Sequence, residues 1–305
     1  MRGQIEKFLE LLEKYYGLKK EQLGDSHQDT LEALDRLSNA YGLVGDYEKS
    51  VELIEKAYSI RKELLGETAF YTIHTLDNMA ITYHLMGKNE KCIELREKAY
   101  VLLKDARGEK DQISLQTLHR LGVAYLYAED YEKAIEVFEK AYLLRKDLYE
   151  GEIGSEPLVY LHSLAYAYER AENYEKAIET YEKAYVLREK EMGETDPGTI
   201  ESLDGLARSY YKTGNYEKCL ELGEKANSLQ NEVLGENDPR TIKTLEYLVL
   251  AYEHVENYEK LIELYKKMYS LRKKDLTRVK AALADYRKAE SLIQEVESIE
   301  QNSIY

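Results

Sequence analysis

Apolar residues recur along the chain in two alternating registers. In TLEALDRLSNAYGLVG, residues 30–45, they fall at Leu31, Leu34, Leu37, Tyr41 and Val44. In YEKSVELIEKAYSIRKELLG, residues 47–66, they fall at Tyr47, Val51, Ile54, Tyr58 and Leu65. Steps of three and four with charge between them predict amphipathic helices, each with one stripe to bury. Two residues, often Gly followed by Asp or Asn, separate the registers and predict a tight antiparallel hairpin. A glycine closes each pair. Gly24, Gly66, Gly108, Gly151, Gly193 and Gly235 stand 42 residues apart, except for one gap of 43 between Gly108 and Gly151. The expected organisation is all-α: a half unit at 5–24, six hairpins of about 42 residues from 25 to 276, and a separate segment at 277–305.

Small residues mark where the helices should cross. Ala57, Ala99, Ala141, Ala184 and Ala226 form one column in the second helices, and Ser38, Ala80, Gly122, Ala165 and Ala207 form another in the first. A side chain of one or two heavy atoms lets two axes approach closely. Tyr41, Tyr83, Tyr125, Tyr168, Tyr210 and Tyr252 form an unbroken aromatic column, and Tyr47, Tyr131, Tyr174, Tyr216 and Tyr258 a second one, with Asn89 as its exception. The 29 tyrosines are therefore mostly packing. The two cysteines, Cys92 and Cys219, occupy a column that is otherwise Ser50, Ala134, Ala177 and Leu261. A position that accepts Ala, Ser and Leu is not built around a thiolate, so both read as small buried residues.

Composition narrows the function classes. A third of the residues are charged, Pro occurs three times and Trp not at all, as expected for a helical array. The longest apolar run, YLVLAY at 247–252, is far short of the roughly 20 residues that a spanning helix needs. The start, MRGQIEKFLELLEKYY, is acidic and amphipathic and does not read as a secretion signal. Two cysteines three units apart make no disulfide framework, and a reducing, cytoplasmic setting fits best. The formal charge of −15 argues against nucleic acid or an anionic membrane as a general partner.

The order Leu, small residue, Tyr, Gly, Tyr, Ala, Ala within each unit resembles that of tetratricopeptide repeats. The 42-residue spacing and the LG ending, as in RKELLGETAFYTIHTLDNMAITYHLMGKNEKCIELREKAY, resemble more closely the subtype found in kinesin light chains. The chain departs from that subtype too. Its His-Pro after LG is His27-Gln28 here, no long heptad region precedes the repeats, and the paired asparagines of its first helices survive only as Asp77-Asn78. The resemblance implies a right-handed superhelical solenoid of antiparallel helix pairs, whose first helices line a concave groove that binds another protein or peptide.

No sequence cradles a phosphate, no HExxH or closely spaced cysteine pair is present, and no nucleophile elbow interrupts the pattern. A catalytic role, a cofactor and a resident metal are therefore not expected. Five of six histidines fall at groove positions implied by the family: His74, His84, His119, His162 and His254. One groove column reads Asp35, Asp77, His119, His162, Asp204, Glu246, where two imidazoles flanked by carboxylates could meet across a metal; ligand sets are usually closer and more complete, so exposed polar side chains on an open face are the preferred reading. The candidate peptide-binding positions are Asp77, Asn78, His119, Arg120, Tyr127, His162, Tyr166, Arg170, Arg208, Tyr211 and Lys212. Their cations lie beside aromatic rings in an acidic protein, which suits a short, acidic peptide held by Arg forks and ring stacking; charge on an open groove that is simply solvated accounts for them equally well. If His119 and His162 titrate near the usual value of about 6.5, that trough gains positive charge in mild acid.

The ends leave alternatives open. The half unit at 5–24 is either an amino-terminal cap or a sign that the chain is a piece of a longer protein, such as the regulatory or sensing module of a multidomain signalling ATPase. The segment TRVKAALADYRKAESLIQEVESIEQ keeps a helical stripe at Val279, Leu283, Tyr286, Ile293 and Val296. It is expected to cap the last unit, or else to pair two copies into a weak dimer of an otherwise monomeric chain.

Overall fold

The computed structural model describes residues 2–146 and 155–272, and among them every element is an α-helix. A lone helix, α1 (Arg2–Leu23), is followed by six pairs. These are α2 (Gln28–Leu43) with α3 (Tyr47–Leu65), α4 (Phe70–Leu85) with α5 (Asn89–Arg107), and α6 (Gln112–Tyr127) with α7 (Tyr131–Lys146). Then come α8 (Ser155–Arg170) with α9 (Tyr174–Met192), α10 (Pro197–Lys212) with α11 (Tyr216–Val233), and α12 (Pro239–His254) with α13 (Tyr258–Arg272). The expected capping segment at 277–305 lies outside the described residues. The chain divides into two compact units, residues 1–150 and 151–305, and the division falls where the glycine spacing slips from 42 to 43.

Each hairpin is closed by the same bonds. The carbonyl of the repeated tyrosine at the end of the first helix accepts from an amide five residues on: Tyr41 from Asp46 at 3.0 Å, Tyr168 from Asn173 at 2.9 Å, Tyr210 from Asn215 at 3.0 Å. The residue just before that amide takes positive φ. It is Gly45, Gly87 and Gly214 in three hairpins but Glu129, Glu172 and Glu256, at 55–61°, in the others. A residue with a Cβ pays steric strain there, so the pattern of bonds outweighs local preference. The next residue caps the second helix. The side chains of Asp46, Asp130, Asn173, Asn215 and Asn257 each accept from the backbone N–H three residues on, whereas Lys88 provides no such cap to α5. Asp196 and Asp238 cap α10 and α12 with a proline in the first turn behind them, as the DP pairs predict.

The columns of small residues sit at the crossings. Ala57, Ala99, Ala141, Ala184 and Ala226 are all 0% exposed. Where the facing side chain is large, its partner shrinks to glycine: a Cβ on Gly122 would stand 2.6 Å from the Phe138 ring, and one on Gly205 would stand 2.4 Å from the Tyr181 ring. Successive pairs are then stitched at the rim. Tyr41, Tyr83, Tyr125 and Tyr252 each donate their hydroxyl to a glutamate of the preceding second helix, namely Glu13, Glu55, Glu97 and Glu224.

Cys92 and Cys219 are buried and unpaired in the column shared with Ser50 and Ala134. In the first hairpin the same position places Ser50 Oγ 3.1 Å from Ser38 Oγ, so the column packs between the two helices of one pair. Burial pushes the Cys219 thiol up to about 12, with Asp204 adding to the effect, and burial also raises Cys92 despite the nearby Arg96. Replacing both cysteines with Ala should leave helicity unchanged and cost about 1 kcal/mol at each site. A thiol reagent added to the native protein should react only at the rate of unfolding; rapid labelling of the folded chain would show that the column is not closed.

Candidate binding face of the first helices

Each first helix buries one stripe between its neighbours and turns the other outward. In α10 the buried stripe is Thr199, Ile200, Ser202, Leu203, Leu206, Ala207 and Ser209, while Glu201 and Lys212 are exposed. The same division exposes His74, Ile81 and Leu85 on α4 and Gln116, Arg120 and Tyr127 on α6. In the second unit α10 packs beside both α8 and α12, which places the outward stripes of the three in one row.

In the first unit the candidate residues gather around a carboxylate. Asp77 is buried; Arg120 donates to its Oδ2, and Arg96 Nε lies 3.7 Å from its Oδ1. Arg96 also donates to the Arg120 carbonyl at 2.5 Å, so α4, α5 and α6 share one charge cluster. His119 rests 5.3 Å from the Phe138 ring. Burial, then the charges of Arg120 and Arg96, lower its pKa to about 4. Asn78 lies 3.4 Å from His74 Nδ1, and Tyr127 is 59% exposed with its ring 4.3 Å from that of His84.

In the second unit the network is tighter. Arg208 forks onto Glu169, Nε to Oε1 at 2.6 Å and Nη2 to Oε2 at 2.8 Å, and its Nη1 reaches Asp204 at 2.8 Å. Asp204 accepts in turn from Thr244 at 2.6 Å and Tyr247 at 2.9 Å, and Tyr181 donates to Glu169 at 3.0 Å. Burial alone would lower the Arg208 pKa, but the bonds and charge of Glu169 outweigh it and the net shift is upward. Arg208 is therefore engaged within the fold, and a ligand carboxylate would have to displace Glu169 or Asp204 to use it. His162 lies edge-on to Tyr181 at 5.5 Å with its Nδ1 3.1 Å from Ser202 Oγ. Burial, then Arg188 and Arg208, lower its pKa to about 4 against a weaker opposing effect of Glu169. Arg170 donates to the Tyr166 hydroxyl at 3.2 Å, Tyr211 is half-buried beside Tyr216, and Lys212 is exposed with no ion pair to the described residues.

The expectation of a histidine-driven charge gain near pH 6.5 is corrected by these surroundings. Both imidazoles are packed on rings and face guanidinium groups, so both favour the neutral form down to about 4. Among the described residues no group of three or more His, Cys, Asp or Glu is placed to hold a metal, and no helix is long and apolar enough to cross a membrane. One organising ion pair escaped the motif reading. Arg61 forks onto Asp35 at 2.9 and 2.6 Å and reaches Thr75 at 2.6 Å. Its signal was an arginine recurring at the same place in second helices as Arg145 and Arg188.

Family models for the tetratricopeptide repeat match residues 30–68, 71–147, 157–226 and 205–274. The chain belongs to the tetratricopeptide repeat family. The structural neighbours of this repeat protein include the kinesin light chain type that the spacing suggests. Nearly identical TPR-like repeats of a kinesin light chain candidate from Podosopora anserina are 23% identical over 68% of this chain and 97% of that one, with a TM-score of 0.59. BtubC (BKLC) from P. vanneervenii is 17% identical over 76% of this chain and 91% of that one, TM-score 0.60. A Signal Transduction ATPase with Numerous Domains with a tetratricopeptide repeat sensor, from Pyrococcus horikoshii, is 18% identical over 89% of this chain and 44% of that one, TM-score 0.64. At these identities the likeness is one of fold. No curated protein matches the sequence.

Two outcomes follow from the charge networks. The folded chain binds fewer protons than the unfolded one between pH 6.5 and about 4, because His119 and His162 stay neutral there. The stability that is full above 6.5 should thus be lost progressively as pH falls to about 4, by roughly 3 kcal/mol per histidine over the whole range. Thermal melts at pH 7 and pH 5 should differ less for the His119→Gln/His162→Gln variant than for the parent. Arg208→Ala leaves Glu169 and Asp204 without their cation and should cost about 3 kcal/mol in denaturant unfolding. A loss below about 1 kcal/mol would mean that solvent screens the network as it does a surface pair.

Proposed function

We propose that this tetratricopeptide repeat protein is a non-catalytic scaffold that binds another protein or peptide along the outward stripes of its first helices. The observation that carries this reading is the last residue of each first helix. In the first unit it is Leu43, Leu85 and Tyr127, which are 87%, 51% and 59% exposed. In the second unit the same position holds Arg170, Lys212 and His254, all exposed. Apolar side chains left this open at one repeated position, on rigid helices, mark a contact surface better than they serve the fold. In the second unit the preferred partner is an acidic segment whose carboxylates meet Lys212 and Arg170; in the first unit Leu85 and Tyr127 offer apolar surface to a partner's apolar residues. The buried clusters around Asp77 and Arg208 support those helices from behind.

A second reading rests on one neighbour. The signalling ATPase whose repeat sensor shares this fold covers most of this chain, and a sensor module within a longer protein would use the same stripes for a ligand or partner. A nucleotide-binding domain encoded in the same reading frame would favour that reading.

Calorimetric titration with acidic peptides and their charge-neutral analogues tests the scaffold proposal. Lys212→Glu and Arg170→Glu should each weaken binding of the acidic peptide several-fold, and more so at low salt. Glu182→Ala, on the exposed side of a second helix, should leave it unchanged. Loss of affinity from Glu182→Ala with none from the first-helix variants would place the partner on the opposite side.

A further inference from the structure

The second helices open on a tyrosine in every pair but one, where α5 begins with Asn89. The work of that ring is visible at Tyr216. It lies flat on His254 at the end of the next first helix, centroids 4.3 Å apart and planes 6° apart, and it stands 5.8 Å from Tyr211 at the end of its own. The ring therefore fills the gap between the ends of two successive first helices.

Around Asn89 the corresponding residues are His84 and Tyr127. Asn89 spans them with its amide alone: Nδ2 donates to the Tyr127 carbonyl at 3.0 Å, and Oδ1 lies 3.2 Å from His84 Nδ1. With no third ring packed against them, the His84 and Tyr127 rings lean together at 4.3 Å, where Tyr211 and His254, both beside Tyr216, stand 6.1 Å apart. An open cleft of about 660 Å³ remains, walled by Gly87, Lys88, Asn89 and Lys91 on one side and by Tyr127 and Glu129 on the other.

The geometry points to this cleft as a docking site for an aromatic side chain of a partner peptide, a ring supplied from outside where five other pairs carry their own. The chemistry of the walls fits that occupant. Tyr127 presents an exposed ring for stacking, and Lys88 borders the space as a cation, while Lys91 is held by Glu94 and Glu90 adds a polar edge. The fold already pairs lysine with tyrosine in this way, with Lys88 5.9 Å over the Tyr83 ring and Lys133 5.3 Å over Tyr125. The cleft is also large enough to admit the backbone that carries the ring. This inference stands apart from the acidic-peptide reading, because it needs a ring and no carboxylate.

The probes are p-cresol, which is the tyrosine side chain without its backbone, and the blocked tripeptides acetyl-Gly-Tyr-Gly-amide and acetyl-Gly-Leu-Gly-amide. Each is titrated into the isotope-labelled full chain and followed by amide chemical shifts. Saturable shifts confined to Gly87–Lys91 and Tyr127–Glu129 are expected with p-cresol and the tyrosine peptide, at least about tenfold stronger than with the leucine peptide. Asn89→Tyr restores the missing ring; it should raise the melting temperature and abolish the shifts, whereas Asn89→Ala should retain them. Tyr127→Ala, at an exposed position that the fold does not need, should weaken p-cresol binding several-fold. Absence of cleft shifts with both ring probes, or unchanged binding in Asn89→Tyr or in Tyr127→Ala, would overturn the assignment. Failure of acidic peptides to bind elsewhere would leave these outcomes unaffected.

Discussion

Close approach of helix axes is the constraint on which the rest of this protein depends. No single hairpin can bury both of its faces, so within each unit the pairs have to lie tightly against one another, and the five fully buried alanines of the second helices set how near they come. A larger side chain at any of them would force the axes apart. Phe138 and Tyr181 mark the limit of that rule. Both are completely buried, and both are accommodated only because glycine faces them, Gly122 and Gly205. Large and small are exchanged across the contact and the spacing is kept.

Electrostatics follows from the packing. The chain carries a formal charge of −15, yet its interior is rich in guanidinium groups: Arg61, Arg96 and Arg208 are each drawn inward to carboxylates of first helices. Such pairs are costly to desolvate, and breaking one leaves an uncompensated charge, which ties the register of neighbouring pairs to a specific set of partners. Burial first, and then Arg120 and Arg96 at one and Arg188 and Arg208 at the other, keep His119 and His162 neutral. His119 and His162 therefore add no charge to the first helices in mild acid.

Irregularities in the repeat carry more functional information than the repeat itself. Glu129, Glu172 and Glu256 hold a backbone conformation that glycine holds in three other hairpins, showing that the closing bonds dominate over residue preference. Lys88 and Asn89 break two columns side by side, an acidic or amide cap and an aromatic opener, and the structure opens a cleft at that place. The break in glycine spacing near residue 150 coincides with the division into two compact units.

Periodicity alone determined the helices, their pairing and the residues at the crossings, because an amphipathic stripe repeated every 42 residues has one economical way to bury itself. It also placed Cys92 and Cys219 in a packing column, since their equivalents are Ser, Ala and Leu. Tertiary structure alone decided which polar residues are available. Asp77, His119, His162 and Arg208 share the outward spacing of Tyr127 and Lys212, yet neighbouring helices enclose or engage the first four and leave the last two open. Spacing specifies a face of one helix. Burial and ion pairing depend on what the adjacent helices, about 40 residues away in sequence, bring against that face.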